Sequence, residues 1–212
     1  MRRSIVWRWL GVGLLAATCC GLSWGQSAPV ERMRALQGDA ARFKAAAEAG
    51  RGTAAFCANC HGEAGYSKTP EVPNLAGQNP AYLVEQIRKF GAGERKDPFM
   101  QGLIKALKED ERLQVAAYFS SLNVPAGKAD TALATRGKDY FVRLCARCHG
   151  ENGHGNETIP RLAGQQVEYL KRSISRYRDN SGERIYTLMQ IATAGLRNED
   201  IAAIANYLTT LP

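Results

Sequence analysis

Cys57-Ala-Asn-Cys60-His61-Gly62 recurs 88 residues later as Cys145-Ala-Arg-Cys148-His149-Gly150, and the sequence around each copy recurs with it. Pro73-Asn-Leu-Ala-Gly77-Gln78 returns as Pro160-Arg-Leu-Ala-Gly164-Gln165, offset by 87. Tyr82, Leu83, Ile87 and Phe90 return at the same offset as Tyr169, Leu170, Ile174 and Tyr177. Met100 returns as Met189, and Val115, Tyr118, Phe119 and Leu122 return as Ile204, Tyr207, Leu208 and Leu211, all by 89. Register held over five blocks makes the chain one unit written twice. The first copy spans 51–123 and the second 135–212, with a linker at 124–134 around Pro125-Ala-Gly127.

The apolar spacing within each copy is helical. Leu83, Ile87 and Phe90 line one helix face, Val115, Tyr118, Phe119 and Leu122 another, and their counterparts do the same. Asp110 and Asn198 stand just ahead of the last stripes, as N-caps do. No strand alternation of useful length appears, so the fold class is all-α. Ahead of the first copy, 27–50 reads as an N-terminal helical extension. It is Ala-rich and charged over 31–50, with Gly50 and Gly52 breaking or ending the helix.

The repeated motif carries the chemistry. Cysteines at i and i+3 share one face of a helical turn, so both thiols can bond the two vinyl groups of one porphyrin. The histidine that follows is then held beneath the ring, aimed at the iron. Cys57, Cys60 and His61 would serve one haem, and Cys145, Cys148 and His149 a second. A zinc half-site, a redox dithiol and a disulfide are the competing uses of Cys-x-x-Cys. Zinc needs about four ligands, and pooling both motifs would leave each histidine unexplained. A dithiol belongs beside a βαβ pattern, which is absent.

Beyond the first 26 residues the chain has three methionines, Met33, Met100 and Met189. Methionine ordinarily fills cores, but Met100 follows His61 by 39 residues and Met189 follows His149 by 40, whereas Met33 has no counterpart. The matched distances assign Met100 and Met189 as the second axial ligands. Pro73 and Pro160 follow their histidines by 12 and 11 residues. Each is placed to accept the imidazole N–H on its carbonyl and fix the tautomer. His154, in Gly153-His154-Gly155, reads as a loop residue, and Lys171, Arg172, Arg176 and Arg178 as a solvated basic face that could also dock an acidic partner.

The N-terminus has the order of a secretory signal peptide over 1–26. Basic Arg2, Arg3 and Arg8 precede an uncharged run from Leu10 to Trp24, then small and polar residues. The run is short for a membrane span of about 20 residues. An uncleaved anchor, or lipidation at Cys19 or Cys20, are the alternatives. Cleavage removes all three tryptophans and three of the charges behind the formal +8, and the four propionates of two haems would offset most of the remainder. No basic run with interleaved aromatics is present, so nucleic acid is not an expected partner.

These motifs, the Pro-x-Leu-Ala-Gly-Gln blocks and the Tyr-Leu that follows resemble the cytochrome c4 family of exported dihaem proteins, over nearly the whole chain beyond residue 40. The resemblance implies two tandem class I cytochrome c domains, each wrapped around one covalent haem with its first and last helices crossed. Gly137 and Phe141 match the first-helix pattern, with Tyr207 as their partner on the last helix. Ala49 and Thr53 occupy those places in the first copy. The resemblance also implies a non-enzymatic periplasmic carrier, free or peripherally associated with the membrane. Its donor would be a membrane quinol-oxidising complex or a dehydrogenase, and its acceptor a terminal haem–copper oxidase. The alternative role is the haem-bearing subunit of a dehydrogenase. A dihaem peroxidase is the enzymatic alternative, and would need an iron with an open axial position.

Overall fold

A computed structural model describes residues 28–124 and 127–212. The leader over 1–26, and Pro125 and Ala126 of the linker, lie outside the described residues. Among the described residues ten helices follow in order: α1 (Ala28–Gln37), α2 (Ala40–His61), α3 (Pro80–Ala92), α4 (Pro98–Ala106), α5 (Glu109–Ser120), α6 (Thr131–Leu144), α7 (Ala146–His149), α8 (Val167–Arg178), α9 (Thr187–Thr193) and α10 (Asn198–Thr210). Among the described residues there is no strand, only an isolated antiparallel bridge between Arg95 and Arg184.

Each copy buries its own apolar cluster. In the first, Ala54 on α2, Val84 on α3 and Leu113, Val115 and Phe119 on α5 close together, with Val30 and Met33 of α1 added. In the second, Phe141 on α6, Leu170 and Ile174 on α8 and Ile201, Ile204 and Leu208 on α10 do the same. The helix that carries or leads into each motif crosses the last helix of its half, α2 on α5 and α6 on α10. These crossings orient the cysteines and histidine relative to everything that follows.

The crossings explain where the sequence reading and the structure part. Gly50 and Gly52 do not break α2, which runs unbroken from Ala40 into the motif. Gly50 sits where α2 meets α5, and a Cβ there would lie 2.1 Å from the Gln114 carbonyl oxygen. Gly137 has the same place in the second half, 2.0 Å from the Ala203 oxygen by the same measure. The counterpart of Gly137 is therefore Gly50 rather than Ala49, and that of Phe141 is Ala54 rather than Thr53. The first half has one residue fewer between crossing and motif. The second half absorbs its additional residue as a helix break at Cys145, between α6 and α7. Phe141 stacks at a tilt on Tyr207, ring centroids 5.5 Å apart.

The cap assignments also shift by one or two residues. Helix α5 starts at Glu109, with Lys108 in the cap position and its N–H bonded to Glu111. Asp110 instead faces outward to Arg32 of α1. Helix α10 starts at Asn198, with the Arg197 N–H bonded to Asp200. A carboxylate three residues into the helix does the capping in both copies. Between the halves, the Gly127 N–H bonds to the Thr209 carbonyl and the Asp130 N–H to the Asn206 side chain, so the chain runs back along α10 before α6 begins. Helix α1 packs on α3, and its Arg34 reaches across to Glu157 of the second half.

Two substitutions separate the roles of neighbouring glycines. Gly50→Ala forces α2 off α5 and is expected to cost about 3 kcal/mol or to prevent folding. Gly52→Ala, with nothing within 4 Å of the new methyl, is expected to stabilise α2 by roughly 0.5–1 kcal/mol. Thermal unfolding of the two variants measures both.

Candidate functional site

The two motifs open onto one continuous cavity of about 1030 Å³ that is shared by both halves. Cys57, Cys60 and His61 line it from the end of α2, and Cys145, Cys148 and His149 from α7 and the residue before it. All four cysteines are free thiols, Cys60 and Cys148 exposed and Cys57 and Cys145 half-buried. Burial raises the Cys57 thiol and pushes that of Cys145 up to about 11, so both are neutral before any bond is made to them. Met100 on α4 and Met189 on α9 line the same cavity. The Asp97 carboxylate caps the turn that presents Met100, accepting its N–H at 3.0 Å. Met33 is fully buried in the first apolar cluster and does not face the cavity.

Each histidine is buried and held by its Nδ1. The His61 Nδ1–H donates to the Pro73 carbonyl at 2.8 Å, and that of His149 to the Pro160 carbonyl at 3.1 Å. A carbonyl oxygen only accepts, so this contact fixes the proton on Nδ1 and leaves Nε2 as the unprotonated ring nitrogen. Burial holds both imidazoles below the usual histidine range, and for His61 the charge of Arg95 adds to it. Both rings are neutral at neutral pH, the state a metal ligand requires.

Repeated backbone bonds place the two proline carbonyls. The Leu75 N–H bonds to Gly65 O at 2.8 Å and the Leu162 N–H to Gly153 O at 2.7 Å. The Gly77 N–H bonds to the Phe119 carbonyl on α5, and the Gly164 N–H to the Leu208 carbonyl on α10, both at 3.0 Å. The end of each block then crosses to the other half. Gln78 accepts the Arg161 N–H at 2.7 Å and donates to the Arg161 carbonyl at 2.8 Å. Gln165 accepts the Asn74 N–H at 2.7 Å and donates to the Asn74 carbonyl at 2.9 Å. The interface is thus reciprocal, built from the same repeated residue on each side.

A second reciprocal pair also links the halves. Arg184, only 7% exposed, donates to the hydroxyls of Tyr82 at 3.0 Å, Tyr169 at 3.2 Å and Ser173 at 3.2 Å. Arg95 donates to the Tyr169 hydroxyl at 3.2 Å and lies over the Phe90 ring. Among the described residues neither guanidinium has a carboxylate within ion-pair distance. Burial pushes the Tyr169 phenol up, but the charges of Arg184 and Arg95 outweigh it and hold the phenol down to about 7. Tyr82, also beside Arg184, is raised because burial wins there. Guanidiniums that face a cavity without a carboxylate partner, Arg184 buried and Arg95 half-buried, suit carboxylates brought in by a ligand, and porphyrin propionates are such carboxylates. The free thiol pairs, neutral imidazoles, thioethers and unpaired guanidiniums around one large cavity therefore fit haem.

Gln78, Gln165, Arg95 and Arg184 were not singled out by the sequence reading. A signal was present, because Gly93-Glu94-Arg95 returns as Gly182-Glu183-Arg184, offset by 89. His154 keeps to its loop, with Nε2 bonded to the carbonyl of Pro212 at 2.8 Å. In the basic cluster, Lys171, Arg176 and Arg178 pair with Glu168, Glu183 and Asp179.

A family model for cytochrome c matches residues 134–212. Over 188 residues the chain is 35% identical to cytochrome c4 of Stutzerimonas stutzeri, covering 78% of this chain and 89% of that protein. It is 32% identical over 174 residues to the thiosulfate dehydrogenase electron acceptor of Thiomonas intermedia, covering 75% and 80%. The crystal structure of reduced recombinant cytochrome c4 from Pseudomonas stutzeri superposes with a TM-score of 0.73 at 35% identity, covering 78% of this chain and 98% of that one. Thiosulfate dehydrogenase from Marichromatium purpuratum superposes at 0.65 and 31%, covering 87% of this chain and 40% of that one. With its repeated helical halves and cysteine–histidine motifs, the chain belongs to the cytochrome c4 family, all-α c-type cytochromes that hold haem c covalently and act in electron transfer.

Proposed function

We propose that the chain is an exported dihaem electron carrier with His/Met ligation at both irons. Cys57 and Cys60 would hold one haem, with His61 and Met100 as axial ligands. Cys145 and Cys148 would hold the other, with His149 and Met189. Pro73 and Pro160 orient the two imidazoles. The observation that supports this best is the matched pair of Nδ1–carbonyl contacts at 2.8 and 3.1 Å beside both cysteine pairs on one cavity. When bound, each haem supplies an iron that takes up and releases one electron.

The protein's own residues do the rest. The thiols would fix each ring against loss, and the Nδ1 contact locks each imidazole in one tautomer. The Met100 and Met189 thioethers, as ligands, would favour Fe(II) and raise the potential. With His61 and Met100 holding one iron and His149 and Met189 the other, neither would have a place for substrate, which separates this reading from a peroxidase. The secretory leader supports a periplasmic location, and among the described residues no helix is long and apolar enough to cross a membrane. Donors would be a membrane quinol-oxidising complex or a dehydrogenase, and the acceptor a terminal oxidase.

A second reading, the haem subunit of a dehydrogenase complex, has its own support. The thiosulfate dehydrogenase structure covers 87% of this chain against 78% for cytochrome c4, and a relative is named as the electron acceptor of that enzyme. Stoichiometric co-purification with a catalytic subunit would favour it over the free carrier.

Intact mass of the purified protein is expected to show two haems added to a chain lacking its leader. A mass with one haem or none contradicts the assignment. Met100→Ala and Met189→Ala are each expected to remove the Met-to-ferric-iron absorption of one centre and to lower one potential, leaving the other centre unchanged. Rapid peroxide turnover by the unsubstituted protein would favour the enzymatic alternative.

A further inference from the structure

The peptide unit that follows each of the two prolines is bonded on both sides. The Pro73 carbonyl accepts from His61 Nδ1, and the N–H of the same peptide, on Asn74, donates to Gln165 Oε1 of the other half at 2.7 Å. The arrangement repeats with the halves exchanged. The Pro160 carbonyl accepts from His149, and the Arg161 N–H donates to Gln78 Oε1 at 2.7 Å. The identity of the accepting oxygen is certain in both glutamines, because a backbone N–H only donates. Each Oε1 also accepts the next residue's N–H, from Gln166 and Asn79, at 3.0 Å, which holds the amide in place. Gln165, Gln78 and Asn74 are 6%, 7% and 4% exposed and Arg161 is half-buried, so the Gln165–Asn74 contact is the better shielded of the two.

We propose that Gln165 tunes the iron held by His61 and that Gln78 tunes the iron held by His149, each half acting through one peptide on the haem of the other. The proposal rests on His61 and His149 being iron ligands, as read above. A peptide whose N–H is donated polarises, and its carbonyl becomes a stronger acceptor. The stronger acceptor draws the Nδ1 proton of the imidazole, making the ring a more basic ligand. A more basic ligand stabilises Fe(III) and lowers the potential. Gln165 and Gln78 are thus positioning residues with a crossed effect. An interface that served only to hold the halves together would disturb both haems alike.

The test uses the haem-loaded protein with Gln165→Met and Gln78→Met, unbranched side chains that fill the space without bonding. Redox titration reads the two potentials, and proton NMR of the reduced protein reads the imidazole Nδ1–H signals. Q165M is expected to raise the potential of the haem on Cys57 and Cys60 alone. The expected change is about threefold in its one-electron equilibrium, the size of one modest net hydrogen bond, or roughly 28 mV at about 59 mV per decade. The His61 Nδ1–H moves upfield and the His149 signal stays. Q78M is expected to do the converse.

Equal shifts at both haems, a shift only at the haem of the substituted half, or no shift overturn the proposal. If Q165M does not assemble, Gln165→Leu removes the same acceptor from the Asn74 N–H with a different apolar shape, and the His61 Nδ1–H must again move upfield. A signal that stays in place overturns the proposal. Absence of two His/Met haems in the unsubstituted protein would defeat the ligand assignment instead, and its spectrum shows which of the two has failed.

Discussion

The imidazole of His61 gives its Nδ1–H to the carbonyl of Pro73, and that of His149 gives its own to Pro160. Other parts of the fold bear on those two contacts. The helix crossings at Gly50 and Gly137 aim the histidines. The backbone bonds of Gly77 and Gly164 to the last helices pin the loops that carry the carbonyls. The contact also selects which ring nitrogen faces the cavity, so a local bond decides the chemistry a metal would meet.

Two halves built alike need not behave alike. Phe141 fills its helix crossing against Tyr207, where the first half has only Ala54 and adds α1 with Val30 and Met33 to its core. Along the cavity lining, exposed Ile185 of the second half stands where the first has Lys96, whereas exposed Leu188 stands where the first has the equally apolar Phe99. The interface between the halves is polar and paired residue for residue. Its glutamines bond to backbone rather than to other side chains.

Much of this was legible in the sequence because the decisive pattern is local. A Cys-x-x-Cys-His motif carries three roles within five residues, and repetition at 87–89 residues brought in Pro73, Pro160, Met100 and Met189 by register alone. The cavity brings the cysteines, histidines, prolines and methionines together as that register implies. What was not legible depends on contacts between distant segments. Gly50 looked like a helix breaker because its reason, the Gln114 carbonyl, lies 64 residues away. One residue missing before Cys57 hid its equivalence with Gly137. Asp110 and Asn198 looked like caps because cap residues and first-turn residues share a composition; the helices start one residue earlier or at the residue itself. Gln78 and Gln165 stood in plain view in the repeat, but only the facing of one copy on the other gives them partners.

A crystal structure of the haem-loaded protein tests the central claim most directly. It should place each iron between a histidine Nε2 and a methionine sulfur, His61 with Met100 and His149 with Met189, with both Nδ1 atoms still on the proline carbonyls. An iron bound through Nδ1, or either proline carbonyl turned away from its imidazole, would contradict the account.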